Sequence, residues 1–166
     1  MLYLLRNRNT MKKLLCLFLA FGVSSVSFGQ TTPIPDPNFE QALIDLGYDT
    51  PPIDGSVPTA NVNAVTLLNV QAKNISDLTG IEDFDALEML NCAGNQLTSL
   101  DISNNSALTA LGCYANQLTS LDVSNNPSLA FLSCGGNQLT SLDLSNNSAL
   151  TELYCYGNQL TSLDVS

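Results

Sequence analysis

Four cysteines recur at a fixed interval: Cys92, Cys113, Cys134 and Cys155, each 21 residues beyond the last. Three residues after each stands an asparagine (Asn95, Asn116, Asn137, Asn158), and six further on an aspartate (Asp101, Asp122, Asp143, Asp164). Thiols, amides and carboxylates in this pattern offer three chemistries: sulfur bridging or metal ligation, backbone capping by amides, and cation capture by carboxylates. Residues that return once per unit lie above one another when units stack, so the pattern predicts columns rather than a cleft.

Each column has a structural and a functional reading. Secretion permits disulfides, and in-register neighbours would bring Cα atoms within bridging range. Parallel side chains nevertheless hold the Cβ atoms too far apart for a relaxed bridge. A straight row of thiolates does not make a tetrahedral zinc site, and the chain has no histidine. The expectation is a stack of buried free thiols behaving as small apolar residues. The asparagines fall where the chain turns away from a strand, where an amide can satisfy turn groups otherwise buried and unpaired. The aspartates would suit calcium, but like charges one strand apart repel, and a solvated acidic edge is the expected state.

The elements that must position these columns are legible from the leucines. Units begin at Leu87, Leu108, Leu129 and Leu150 and read L-x-x-L-x-C-x-x-N-x-L-x-x-L, with further leucines at Leu90, Leu97 and Leu100 and their equivalents. In x-L-x-C-x, side chains alternate, so Leu90 and Cys92 point inward and residues 89, 91 and 93 outward. A divergent first unit starts at Val65: Val65, Leu68, Val70, Ile75 and Leu78 precede their matches by 22 residues, and Lys73 takes the asparagine position. Ile81 and Phe84 are expected to fill its wider return segment. The return stretch QLTSLD[IVL]SNN lacks helical spacing and offers Asn-Asn turns, so a thin, partly strand-like outer side is expected. Stability then comes from interfaces between coils, since no coil buries its own faces.

The pattern resembles the leucine-rich repeat over residues 65–166, about five units with the last incomplete. The resemblance implies a solenoid with a parallel β-sheet on its concave side and turns or short strands on its convex side. The layout from IPDPNFEQALIDLGYD through NISDLTGIEDFDAL to the LDVSNN coils is similar to secreted leucine-rich-repeat proteins of flavobacteria and their relatives. That family implies a secreted or surface-attached protein engaged in protein interaction or adhesion. Many of its members carry a C-terminal sorting domain, and the open last coil here is expected to reflect truncation or continuation into further repeats.

Ahead of the repeats, residues 30–64 read as a cap and connection. Asp36 can cap a helix, Pro37 suits its first turn and Gly47 its end, with Phe39, Leu43 and Leu46 on one face. A helix of about ten residues covering the first coil is expected. QTTPIP reads as an extended lead, and 50–60 as an irregular connection with a turn at Asp54-Gly55. Residues 1–29 read as a leader: Met11 to Gly29 has two lysines, an apolar run and small residues before Gln30, the signature of a secretory signal peptide. Met11 is the expected true start, and the run is too short to span a membrane comfortably.

Removing the leader leaves Lys73 as the single base against fifteen carboxylates, a formal charge of −14. So acidic a chain repels nucleic acid and anionic lipid. No segment beyond residue 30 is apolar enough to span a membrane. The sequence shows no nucleophile elbow, phosphate loop or histidine, so no catalytic role and no cofactor are expected. What varies between units marks the candidate binding face: Met89, Asn91, Tyr114, Phe131, Glu152, Tyr154 and Tyr156 project from the strands. Exposed aromatics on one sheet are anchors for a protein or glycan. Drift on an unused face is the alternative, as is a rigid spacer without a ligand.

Overall fold

The computed structural model describes residues 29–164; the expected signal peptide lies outside them. Nine short strands and two helices are present among these residues. Strands β3 (Leu67–Asn69), β4 (Met89–Asn91), β5 (Ala110–Gly112), β6 (Phe131–Ser133) and β8 (Glu152–Tyr154) form one parallel sheet in that order. Register follows the sequence period: Leu68 faces Leu90, Leu90 faces Leu111, Leu111 faces Leu132, and Leu132 faces Leu153. The fold is a stacked-coil solenoid of about five turns.

Between the sheet and the return side runs one apolar core. The columns headed by Leu87, Leu90, Cys92, Leu97 and Ile102 are buried through successive coils. In the last described coil Leu150, Leu153, Cys155 and Leu160 are only partly buried, because a neighbour packs on one side alone. The return side is thin. It carries a single 3₁₀ turn, Ile81–Asp83 in the first coil, and two paired strands, β7 (Ser141–Asp143) and β9 (Ser162–Asp164). Ile81 and Phe84 are buried there, filling the extra residue's width in that coil.

The N-terminal cap is built around helix α1 (Pro37–Asp45). Asp36 Oδ1 accepts the Asn38 and Phe39 N–H groups, and Gly47 ends the helix in a left-handed conformation at φ 81°. There Tyr48 N–H bonds Leu43 O and Gly47 N–H bonds Ile44 O, satisfying the last carbonyls. Phe39 stacks on Phe84 of the first coil with ring centroids 6.4 Å apart. Asp36 Oδ2 fastens the same junction by accepting from Ser76 N–H, Ser76 Oγ–H and Asp77 N–H.

One expectation needs correction here. The lead is extended, as β1 (Thr31–Pro33), but the connection is not irregular: its β2 (Ser56–Pro58) pairs antiparallel with β1, and a four-residue helix, α2 (Thr59–Val62), follows. Their pairing is organised by Glu40. It is buried on α1, and its carboxylate accepts the N–H groups of Asp54 (2.6 Å) and Gly55 (2.8 Å), holding the turn that returns β2 to β1.

Candidate binding face

The columns that could have done chemistry are spent on the fold. Asn116 Oδ1 accepts Leu97 N–H at 3.1 Å, while Nδ2 donates to Cys113 O in its own coil (3.0 Å) and Cys92 O in the coil before (3.1 Å). Asn137 and Asn158 repeat this arrangement; Asn95 does the same for the first coil, taking both Lys73 N–H and Ile75 N–H. Each amide therefore closes its own turn and clamps its neighbour's. A second buried amide column was not anticipated. Asn105, Asn126 and Asn147 donate Nδ2 to return-side carbonyls one coil back, as Asn126 does to Ile102 O and Asn105 O. The sequence marks these Asn-Asn pairs only as turns.

Among the described residues all four cysteines are free thiols, Cys92, Cys113 and Cys134 fully buried and Cys155 partly. Burial pushes the Cys92 thiol up to about 12 and the Cys134 thiol to about 11. Burial also lifts Cys113 well above the ordinary thiol range, with the neighbouring Cys92 and Cys134 adding to it. The thiolate is the reactive and ligating form, and these sites suppress it.

The aspartates lie exposed on the return side, each capping a turn: Asp101, Asp122 and Asp143 accept the N–H of Ser103, Ser124 and Ser145. The backbone and hydroxyl of Ser103 hold the Asp101 carboxyl below its ordinary value. The hydroxyl and backbone of Ser124 do the same for Asp122, against an opposing push from Asp101. Asp164 continues the column on β9. Among the described residues no three such side chains converge as metal ligands would.

The concave sheet is the face left over. It holds a depression of about 560 Å³ whose lining includes Leu67, Met89, Asn91, Tyr114 and Phe131. Its floor dips at β5, which offers only Ala110 and Gly112 between Met89 on β4 and Phe131 on β6. Leu67 and Met89 are 53% and 46% exposed, which is unusual for large apolar side chains placed side by side. A hydrogen-bond chain holds one rim: Asn91 Nδ2 donates to Gln71 Oε1, and Gln71 Nε2 donates to the Tyr114 hydroxyl, both at 3.0 Å.

Of the predicted site residues, Met89, Asn91, Tyr114 and Phe131 line this depression. Tyr154, Tyr156 and Glu152 stand beside it on the last described coil, connected through the Phe131–Tyr154 ring contact at 5.8 Å. Two positions expected to project freely do not. Ala93 is buried, and Gly135 lies beneath Tyr156, where an added Cβ would come within 3.3 Å of the ring. Sequence reading missed Leu67, Asn69 and Gln71, although the 22-residue offset of the first unit maps Met89, Asn91 and Ala93 onto them.

Comparison with known proteins agrees with this architecture. A family model described as "Leucine Rich repeats (2 copies)" matches residues 127–166, and one described as "LVIVD repeat" matches residues 92–116. The functional domain of InlJ from Listeria monocytogenes, described as including a cysteine ladder, superimposes with a TM-score of 0.76 at 38% identity over 83% of this chain. The internalin InlF of the same species superimposes at 0.62 with 22% identity over 77% of this chain, a likeness of fold. This chain spans 31% of the first structure's length and 47% of the second's. No curated protein sequence matches it.

Proposed function

We propose that this leucine-rich-repeat solenoid is a secreted or surface-associated, non-catalytic binding module that recognises a protein or glycan partner through its concave sheet. The observation that carries the reading is the apolar depression of about 560 Å³ on a sheet whose other columns are committed to the fold. Preformed apolar concavities with a few fixed polar groups at the edge are how binding sites are built. Tyr114, tethered through Gln71, supplies such an edge. A secreted location is supported by the leader-like N-terminal sequence, and among the described residues no helix is long and apolar enough to cross a membrane. The absence of histidine from the sequence supports a role without chemistry of its own.

The test uses labelled protein on cells or immobilised extracellular matrix, with two double variants. Met89→Asp with Tyr114→Ala removes the depression, and Tyr154→Ala with Tyr156→Ala removes the neighbouring aromatics. Both pairs project from the sheet, so melting should change little while binding falls in the first and weakens in the second. Full binding by both variants would move the site off the concave sheet, and no binding by the parent would leave the rigid-spacer reading instead.

A further inference from the structure

We infer that the concave depression takes a basic polypeptide segment, two cationic side chains about four residues apart flanking one large apolar residue that seats over Ala110 and Gly112. This rests on the concave-sheet reading and specifies its occupant.

Three observations point to that chemistry. The first is the shape of the floor. Strand β5 contributes a methyl group and a hydrogen where β4 and β6 contribute Met89 and Phe131, leaving a notch one side chain wide. A single large apolar residue fills such a notch, whereas a flat aromatic-stacking surface would require side chains of even height.

The second is the charge around it. Glu88, exposed, immediately precedes Met89 at the start of β4, and Glu152 is exposed on β8, in register with Phe131; both lie outside the lining of the depression, to either side of β5. The lining carries no base. Lys73, the single base after residue 30, is engaged elsewhere, with its ammonium 3.0 Å from Asp45 on α1. Fifteen carboxylates without a free countercharge near the face attract cations and repel an acidic partner.

The third is the spacing. Strands β4 and β8 are three steps apart in the sheet, about 14 Å at the usual strand separation. An extended segment crossing the strands covers that distance in about four residues. Basic residues at i and i+4 can thus reach Glu88 and Glu152 while the residue between them enters the notch. The amides of Asn69 and Asn91 and the Ser133 hydroxyl lie along the lining, where an extended main chain can find partners.

The experiment selects random linear peptides displayed on phage against the immobilised full chain. Enriched peptides should carry paired Lys or Arg about four apart around an aliphatic or aromatic residue. Their synthetic versions should bind about tenfold more weakly in 0.5 M than in 0.05 M salt. Ala110→Phe, which plugs the notch from the solvent side, should abolish binding with the melting temperature unchanged. The smaller Gly112→Ala, whose Cβ comes nearest the Asn91 amide oxygen at 3.3 Å, should reduce it without disturbing the fold. Glu88→Lys with Glu152→Lys should weaken the basic peptides at least tenfold, and selection against that variant should return acidic ones. Peptides that bind Ala110→Phe and Gly112→Ala as well as the parent would overturn the concave-sheet reading itself. Peptides sensitive to the plug but lacking basic residues, or indifferent to charge reversal, would overturn only the basic occupant. Selection that enriches nothing would overturn the basic occupant and leave the concave-sheet reading to the cell-binding test.

Discussion

Asp36 Oδ2 lies 2.7 Å from both the backbone nitrogen and the hydroxyl of Ser76, forty residues away, while its other oxygen caps the first turn of α1. One carboxylate thus starts the cap helix and docks it on the first coil. Asp36→Asn keeps one acceptor but turns an N–H group toward three donors. Hydrogen bonds to a charged group contribute about 1.5–3 kcal/mol each, and their loss here overlaps, so a cost of about 2–4 kcal/mol is expected by urea denaturation at pH 7.

The same residue sets a pH dependence. Burial pushes its carboxyl upward, but the Ser76 backbone and hydroxyl and the N–H groups of Phe39 and Asn38 outweigh it, and the folded value lies below the ordinary aspartate value of 3.8. Stability from a lowered carboxyl is complete above the unfolded value and is lost as pH falls through the folded one. The gap between parent and Asp36→Asn should therefore be full at pH 6 and should close below about pH 3. A gap independent of pH would remove the carboxylate from this role.

Asn116→Ala leaves Leu97 N–H without its acceptor and takes one of two amide donors from Cys113 O and from Cys92 O, which keep Asn137 and Asn95. Buried unpaired groups cost about 1–3 kcal/mol each, so a fall of at least that size in unfolding free energy is expected. Asn126→Ala, in the second amide column, should cost a similar amount; Asn125→Ala, its exposed neighbour, should cost little. An unchanged melting temperature in Asn116→Ala would count against the clamp.

Ala115 sits at φ 53°, a left-handed conformation, where its neighbours one coil away are Gly94 (φ 66°) and Gly136 (φ 63°). The left-handed region costs a residue with a Cβ about 1–2 kcal/mol, and glycine's extra unfolded freedom returns about 0.5–1 of it. Ala115→Gly should therefore stabilise by about 0.5–1 kcal/mol. Gly136→Ala should destabilise by a like amount, since its added Cβ would meet Ala115 only at ordinary contact distances of 3.4 and 3.5 Å.

The thiol column predicts a reactivity order. Under native conditions at pH 8, Cys155 should react with a thiol reagent first, while Cys92, Cys113 and Cys134 wait for unfolding. Denatured mature protein without reductant should return four thiols; two or fewer would mean bridging. Raised folded values also mean that stability from this column is complete below the unfolded value of 9.0 and is lost as pH climbs toward about 12.

Calcium should leave the melting temperature where EDTA leaves it. Asp101, Asp122 and Asp143 each already accept the N–H of a serine two residues on, and the side chains stand in a row rather than around a point. An upward shift with calcium would assign the acidic edge to metal.

The repeat period made β4, β5, β6 and β8 and their register readable, because a 21-residue return dictates which residues become neighbours. The 22-residue offset did the same for β3. β1 and β2 carried no such mark. They are three residues long, include Pro33 and Pro58, and depend on Glu40, an acid whose burial no local pattern signals. The buried amides Asn105, Asn126 and Asn147 were hidden for the opposite reason: each follows another asparagine of equal period, and periodicity alone cannot tell which of two identical residues turns inward. At the concave face the projecting residues were legible but the notch was not. It arises from small β5 residues between large ones on both sides, a difference in height across strands rather than a property of any one.

Because Asn116 and Asn137 each donate both to their own coil and to the one before, and Asn126 and Asn147 to the one before, no seam between the regular coils is chemically special. Excising or duplicating a whole 21-residue block among the regular coils restores the same partners at the joint, and a block of 22 does so when its return segment takes up the extra residue, as in the first coil, where Asn95 still donates to Val70 O. The gene for such a chain can lengthen or shorten by recombination between its own near-identical segments, each event changing the protein's reach by about 4.8 Å.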